Sequence, residues 1–259
     1  VFTGSVPTGQ AILRQAAERI IPVVMELGGK SAAVVYPDAD LDAAASDIVK
    51  GAFTNAGQLC SILSRLIVHH RVHDDLLERL IQQVGALSIG PGIEDRDITP
   101  LISAAQLDKV EAFCLRAEKA GATAAAGGRR LTDTPGHFFM PTVYCDVGPD
   151  MEIAREEIFG PVLSVMKFDR PEEAVAMANG TDFGLVAGVY TDDLGLAHWT
   201  AARLVAGQVF INEWFAGGVE TPFGGTRKSG FGREKGQEAL LNYVQTKNIA
   251  VRLRPGKCR

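Results

Sequence analysis

The chain has 259 residues, 46% hydrophobic and 22% charged, with a net charge of −5; it can bury a large core in one or two domains, which excludes a disordered chain. No Lys/Arg tract supplies the footprint of a nucleic-acid or anionic membrane surface, and no apolar run approaches bilayer-spanning length, so small-molecule chemistry is expected. The four cysteines, Cys60, Cys114, Cys145 and Cys258, contain no Cys-x-x-Cys pair, and neither a disulfide framework nor a metal site is expected. The opening Val1-Phe2-Thr3-Gly4-Ser5 lacks the basic start and apolar core of a signal peptide, so a cytoplasmic location is expected. With no initiator Met, it reads as a strand end inside a larger fold.

In chain order, residues 1–9 read as a strand end, a turn and a helix start, and Ile12, Leu13, Ala16 and Ala17 follow at helical spacing. The turn Gly4-Ser5-Val6-Pro7-Thr8-Gly9 presents free N–H groups at a helix N-terminus, suited to a nucleotide phosphate; an ordinary strand-to-helix turn has the same signature. It is neither a P-loop nor a G-x-G-x-x-G turn. Residues 23–27 form a short apolar run interrupted by Glu26 and ended by Gly28-Gly29. A carboxylate among Val, Met and Leu is costly to bury unless paired, solvated or protonated, and such surroundings raise its pKa toward general-base range. A salt-bridged or edge-exposed glutamate fits the same pattern. Residues 32–36 read as a strand, and Pro37-Asp38-Ala39-Asp40 caps a helix over 41–53 that runs into Thr54-Asn55-Ala56-Gly57-Gln58-Leu59-Cys60. A thiol just past such a turn has unpaired N–H groups near it, which favour a thiolate. Taken alone, Cys60 reads as a small buried hydrophobe.

Past Cys60, strands are predicted at 66–70, 122–126, 138–146, 162–168, 185–190 and 208–212, alternating with helices at 74–87, 103–120, 171–179 and 193–204. That alternation favours an α/β sheet. Residues 213–236 differ, because seven glycines interleave there with Trp214, Phe215, Phe223 and Phe231. The composition predicts a long irregular loop whose aromatics wall a ligand pocket. The chain then ends in a helix end and a strand-like 248–253, apolar enough that pairing within an oligomer is expected.

Five of these pieces, in this order, resemble the NAD(P)-dependent aldehyde dehydrogenase superfamily. They are Phe2-Thr3-Gly4-Ser5 with Gly9, Glu26-Leu27-Gly28-Gly29-Lys30, Gly57-Gln58-x-Cys60, Glu157-Ile158-Phe159-Gly160-Pro161-Val162, and Pro222-Phe223-Gly224-Gly225 running to Gly230-x-Gly232-Arg233-Glu234. The resemblance implies an α/β fold with a mixed, mostly parallel catalytic sheet and a remnant of a Rossmann-like cofactor domain. It divides the chain into a cofactor-domain remnant over 1–28, a catalytic domain over 29–228 and an oligomerisation segment over 229–259. It further implies that Cys60 attacks an aldehyde to give a thiohemiacetal and then a thioester, that Glu26 activates the hydrolytic water, and that Glu234 relays protons from Glu26. NAD or NADP is the implied cofactor, with Gly4, Ser5 and Gly9 at the pyrophosphate, Leu27 and Gly28 beside it, Glu157 on the nicotinamide ribose and Phe159 packed at that end. Leu59, Ser61, Trp214, Phe215 and Phe223 are the implied substrate wall, and a homodimer or homotetramer the implied assembly.

The sequence departs from that family pattern in places. Leu59 is bulky for its position, Ser61-Ile62 follow the thiol where smaller residues are commoner, and Val6-Pro7 replaces a more polar pair. An oxyanion-binding Asn of the family and most of its dinucleotide sheet have no counterpart here, so the chain reads as the C-terminal half of such an enzyme. Competing expectations are a non-catalytic subunit or fragment, a coenzyme A-acylating relative, and a cofactor-independent thioesterase or esterase activity of Cys60 and Glu26.

Overall fold

In the computed structural model, which describes residues 1–253, the chain builds its core around a seven-stranded sheet of order β10-β9-β3-β4-β7-β6-β5. The central strands are β3 (Ser31–Val35), β4 (Leu63–His69) and β7 (Val162–Phe168), with β9 (Val186–Tyr190) and β10 (Gln208–Ile211) on one side and β6 (Thr142–Cys145) and β5 (Thr123–Ala126) on the other. Every pairing is parallel except β5 with β6. Strands β3 and β4 are buried along their whole length, as expected where helices cover both faces of a parallel sheet.

Seven helices connect or cover these strands: α1 (Val6–Glu18), α2 (Leu41–Phe53), α3 (His73–Gly85), α4 (Ala104–Lys119), α5 (Glu152–Arg155), α6 (Pro171–Asn179) and α7 (Leu194–Ala201). Their starts carry the expected signals: Ser5, Asp40, Ser103 and Asp193 each accept N–H groups of the first turn. A small second sheet of order β1-β2-β12 joins the two ends of the chain, with β1 (Phe2–Thr3) parallel and β12 (Gly230–Phe231) antiparallel to β2 (Met25–Glu26). A two-stranded ribbon pairs β8 (Phe183–Gly184) with β11 (Thr226–Arg227).

Two expectations need correction. The strand predicted over 138–146 is only β6, because Pro141 carries no N–H and interrupts the ladder before Thr142. The helix expected before the end is a 3₁₀ segment, Glu238–Tyr243. The strand-like 248–253, expected to pair within an oligomer, joins no sheet of this chain, and Ile249, Val251 and Leu253 are exposed. Cys258 lies outside the described residues. No helix among the described residues is long and apolar enough to cross a membrane.

Candidate active site

Glu26 occupies the middle strand of the small sheet. Its carbonyl accepts the Gly4 N–H at 3.0 Å, Gly230 pairs opposite it, and the next N–H, that of Leu27, donates to Ser229 O at 3.0 Å. Gly4 is thus tied to the backbone of Glu26. The carboxylate itself is 2% exposed, and neither oxygen has a hydrogen-bond partner. Burial raises its pKa to about 7, the charge of Glu234 adds to the rise, and Arg233 opposes it. Glu234 is carried there by a two-way backbone pairing with Phe223, at 2.7 and 2.6 Å, which folds the 213–236 loop back on itself. An unpaired carboxyl poised near neutrality can take or hold a proton at physiological pH.

Cys60 follows α2 through a turn in which Asn55 and Ala56 adopt φ of 53° and 52°. Gln58 ties that turn down: its Oε1 accepts the Ile102 N–H at 2.9 Å and its Nε2 donates to Asn55 O at 3.3 Å. A Cβ on Gly57 would stand 2.0 Å from Gly160 O, so the turn presses directly on the Phe159-Gly160-Pro161 turn. The Cys60 thiol is half-buried, and burial pushes its pKa up, as do the charges of Glu26 and Glu157. The N–H groups of Cys60 and Ser61 act the other way. At rest the thiol therefore favours its protonated form, and a base must take the proton when it reacts.

Gly28 and Gly29 link these two groups to Glu157. The Gly29 N–H donates to Glu157 Oε1 at 2.9 Å, a Cβ on Gly28 would fall 2.3 Å from Glu157 Oε2, and a Cβ on Gly29 would fall 2.6 Å from Cys60 O. The carboxylate thus rests in a cradle that only glycine leaves open. Burial raises the Glu157 pKa against the pull of the Gly29 N–H, Lys109 and Lys30. Phe159 holds a left-handed φ of 60°, and Gln106 Nε2 donates to both Ile158 O and Phe159 O at 2.9 and 2.8 Å. A cavity of about 370 Å³ runs from Val6, Pro7 and Gln10 on α1 to Arg155, Glu156 and Lys228, connecting the helix N-terminus with the neighbour of Glu157. Ser5 Oγ is engaged with Thr8, and buried Gly9 lets α1 sit on Leu27, so Ser5 and Gly9 shape the turn.

Of the predicted substrate wall, Leu59, Ser61, Phe215 and Phe223 are half-buried, and Lys235 Nζ lies 5.4 Å from the centre of the Phe223 ring. Trp214 corrects the expectation. It is 1% exposed, packed within the core, and its indole N–H donates to Ser61 O at 3.2 Å. Two buried cations were missed by sequence reasoning. Lys30 Nζ has no hydrogen-bond partner, and burial lowers its pKa to about 7, with the Arg65 charge adding to the fall. Arg65 donates to three backbone carbonyls, those of Lys30, Met177 and Ala178, at 2.7–2.9 Å. Gln106 was missed as well. All three are ordinary surface residue types by composition, and no local pattern marks them as buried.

Residues 1–249 match the aldehyde dehydrogenase family. This chain belongs to that family. As a member, it is 45% identical over 256 residues to a betaine aldehyde dehydrogenase of Brucella melitensis, covering 97% of this chain and 53% of that protein. Among solved structures, an NAD-dependent aldehyde dehydrogenase from Sinorhizobium meliloti superposes with a TM-score of 0.95 at 42% identity, over 99% of this chain and 52% of that one. The NAD+ complex of a Bacillus cereus aldehyde dehydrogenase gives 0.95 at 41%, over 98% and 52%. The chain thus spans about half the length of the aldehyde dehydrogenases it matches.

Proposed function

We propose that this chain carries the acyl-transfer and hydrolysis machinery of an enzyme that oxidises an aldehyde to a carboxylic acid. The overall change is aldehyde, water and NAD(P)+ to carboxylate, NAD(P)H and two protons. The observation that carries the proposal is the buried carboxyl of Glu26, unpartnered and poised near neutrality, whose charge reaches the Cys60 thiol. Glu26 takes the Cys60 proton as sulfur bonds to the aldehyde carbon, and the N–H groups of Cys60 and Ser61 face the developing negative charge. A nicotinamide cofactor held by Glu157 and Phe159 would supply the hydride acceptor for that carbon, and loss of hydride would leave a thioester on Cys60. Glu26 then deprotonates a water, which attacks the thioester and releases the acid and the free thiol, with Glu234 passing the proton outward.

The Gly28–Gly29 cradle fits a cofactor role for Glu157, since it fixes one carboxylate oxygen and presents the half-buried group beside the thiol. In this proposal Glu157 and Phe159 hold the nicotinamide end, and the first turn of α1 with the adjoining cavity faces the pyrophosphate. By the family resemblance, the adenosine contacts and a second oxyanion donor would come from outside the half of the relatives that this chain matches. Residues 1–28 are then the end of a cofactor domain, 29–228 the catalytic domain, and 229–259 an oligomerising segment of a cytoplasmic homodimer or homotetramer.

Several relatives are named betaine aldehyde dehydrogenases, so betaine aldehyde with NAD+ is the first substrate pair to test. Reduction of NAD+ and acid formation are followed together. Both stop in Cys60→Ala, and retained turnover in that variant defeats the proposal. A coenzyme A-acylating enzyme needs no hydrolytic base, and the poised Glu26 speaks for hydrolysis; acceleration by added coenzyme A would reverse that assignment.

A further inference from the structure

Trp214 begins the glycine-rich loop directly after β10, where sequence alone placed it on the substrate wall. The indole lies instead across the sheet and touches three separate elements. A Cβ on Gly188 in β9 would stand 2.7 Å from its Cζ3, and a Cβ on Gly51 in the last turn of α2 would stand 2.9 Å from its Cδ1. Both positions are glycine where the ring needs the space, and Phe210 and Phe215 flank it with ring centres 5.3 and 6.4 Å away. Wedged in this way, the ring has its only polar atom aimed at the residue after the thiol, with Nε1–H donating to Ser61 O at 3.2 Å. A buried indole N–H ordinarily finds a partner, and this one has found it in the Cys60 loop.

We infer that Trp214 is a positioning residue: by holding the Ser61 carbonyl it sets the orientation of residue 61, and so fixes the Cys60–Ser61 peptide whose N–H lies beside the Cys60 side chain. The inference rests on the nucleophile role proposed for Cys60, and it adds a physical link between the 213–236 loop and the thiol. Sulfur gains negative charge when the thiolate or the thiohemiacetal forms, and a fixed N–H dipole favours that charge. A ring that only filled space would leave the thiol chemistry untouched.

The test uses this chain without cofactor. Iodoacetamide alkylation of Cys60 is measured as a function of pH in wild type and in Trp214→Phe, which retains an aromatic ring but has no N–H; Cys60→Ala identifies the Cys60 signal against the other three cysteines. The alkylation midpoint in Trp214→Phe is expected to move to higher pH, with a slower rate at pH 8. An unchanged midpoint in folded Trp214→Phe overturns the inference. Should that variant not fold, the wild type decides. The chain has two tryptophans, Trp199 and Trp214, so the two indole ¹⁵N–H signals serve as internal references. Alkylating Cys60 is expected to move the Trp214 signal and leave the Trp199 signal in place, and an unmoved Trp214 signal overturns the inference. Neither readout requires turnover, so loss of the oxidation proposal and loss of this one are distinguishable.

Discussion

Gly28 and Glu157 stand against each other although 129 positions of sequence separate them: a Cβ at position 28 would lie 2.3 Å from Glu157 Oε2, while the neighbouring Gly29 N–H donates to Oε1 at 2.9 Å. Gly28→Ala is therefore expected to displace the carboxylate and destabilise the chain by about 1–3 kcal/mol, the usual cost of overpacking. A double-mutant cycle with Glu157→Ala checks the contact: the second substitution recovers much of the loss, and strictly additive effects would show that the two positions are not coupled.

The stability of the chain depends on pH through Glu26. Its folded pKa of about 7 lies above the ordinary 4.5, so the folded chain binds more protons than the unfolded chain between those values, and the stability present below about 4.5 is lost as pH rises through 7. Glu26→Gln, which keeps the shape without the charge, is expected to match wild type at pH 4 and to exceed it by up to about 3 kcal/mol at pH 8. Urea denaturation at the two pH values measures this directly.

Lys30 gives the opposite trend. Its folded pKa of about 7 lies below the ordinary 10.5, so the unfolded chain binds more protons between those values, and stability rises with pH across that window. Lys30→Met is expected to be more stable than wild type at pH 6 and to lose that advantage by pH 10.5. A gain that is the same at both pH values would point to packing rather than to the buried amine.

Arg65 is the clamp beneath the same turn. It fastens the Lys30 carbonyl to the Met177 and Ala178 carbonyls at the end of α6. A lysine there cannot reproduce the planar fork. Arg65→Lys is expected to cost about 3 kcal/mol in chemical denaturation, because buried carbonyls are left unpaired. Thermal scans of Arg65→Lys and Arg65→Met should then fall together, well below wild type.

Much of the architecture was legible in the order of residues. The helix over 41–53, the strand over 162–168 and the helix over 171–179 have the bounds their patterns predict, because local periodicity, an Asp40 cap and a Pro171 start act within a few residues of chain. Cys60, Glu26 and Glu157 were legible as motif members, since each sits in a short run of glycines and apolar residues that local structure requires. The terminal 248–253 joins no sheet of this chain, because its apolar pattern describes what the segment would bury against a partner strand and not which chain supplies one.

Sequence alone thus determined the family, the parallel α/β pattern and which residues are proposed to react, since these rest on short motifs and short-range order. Tertiary structure decided what each group experiences. Glu26 becomes unpaired and near neutral because β1, β12 and the 213–236 loop close around it. Trp214 moves from a presumed wall into the core because Gly51 and Gly188, far from it in the chain, leave space for its ring. Burial and long-range charge depend on which distant segments meet, and that information appears only when the sheet has brought them together.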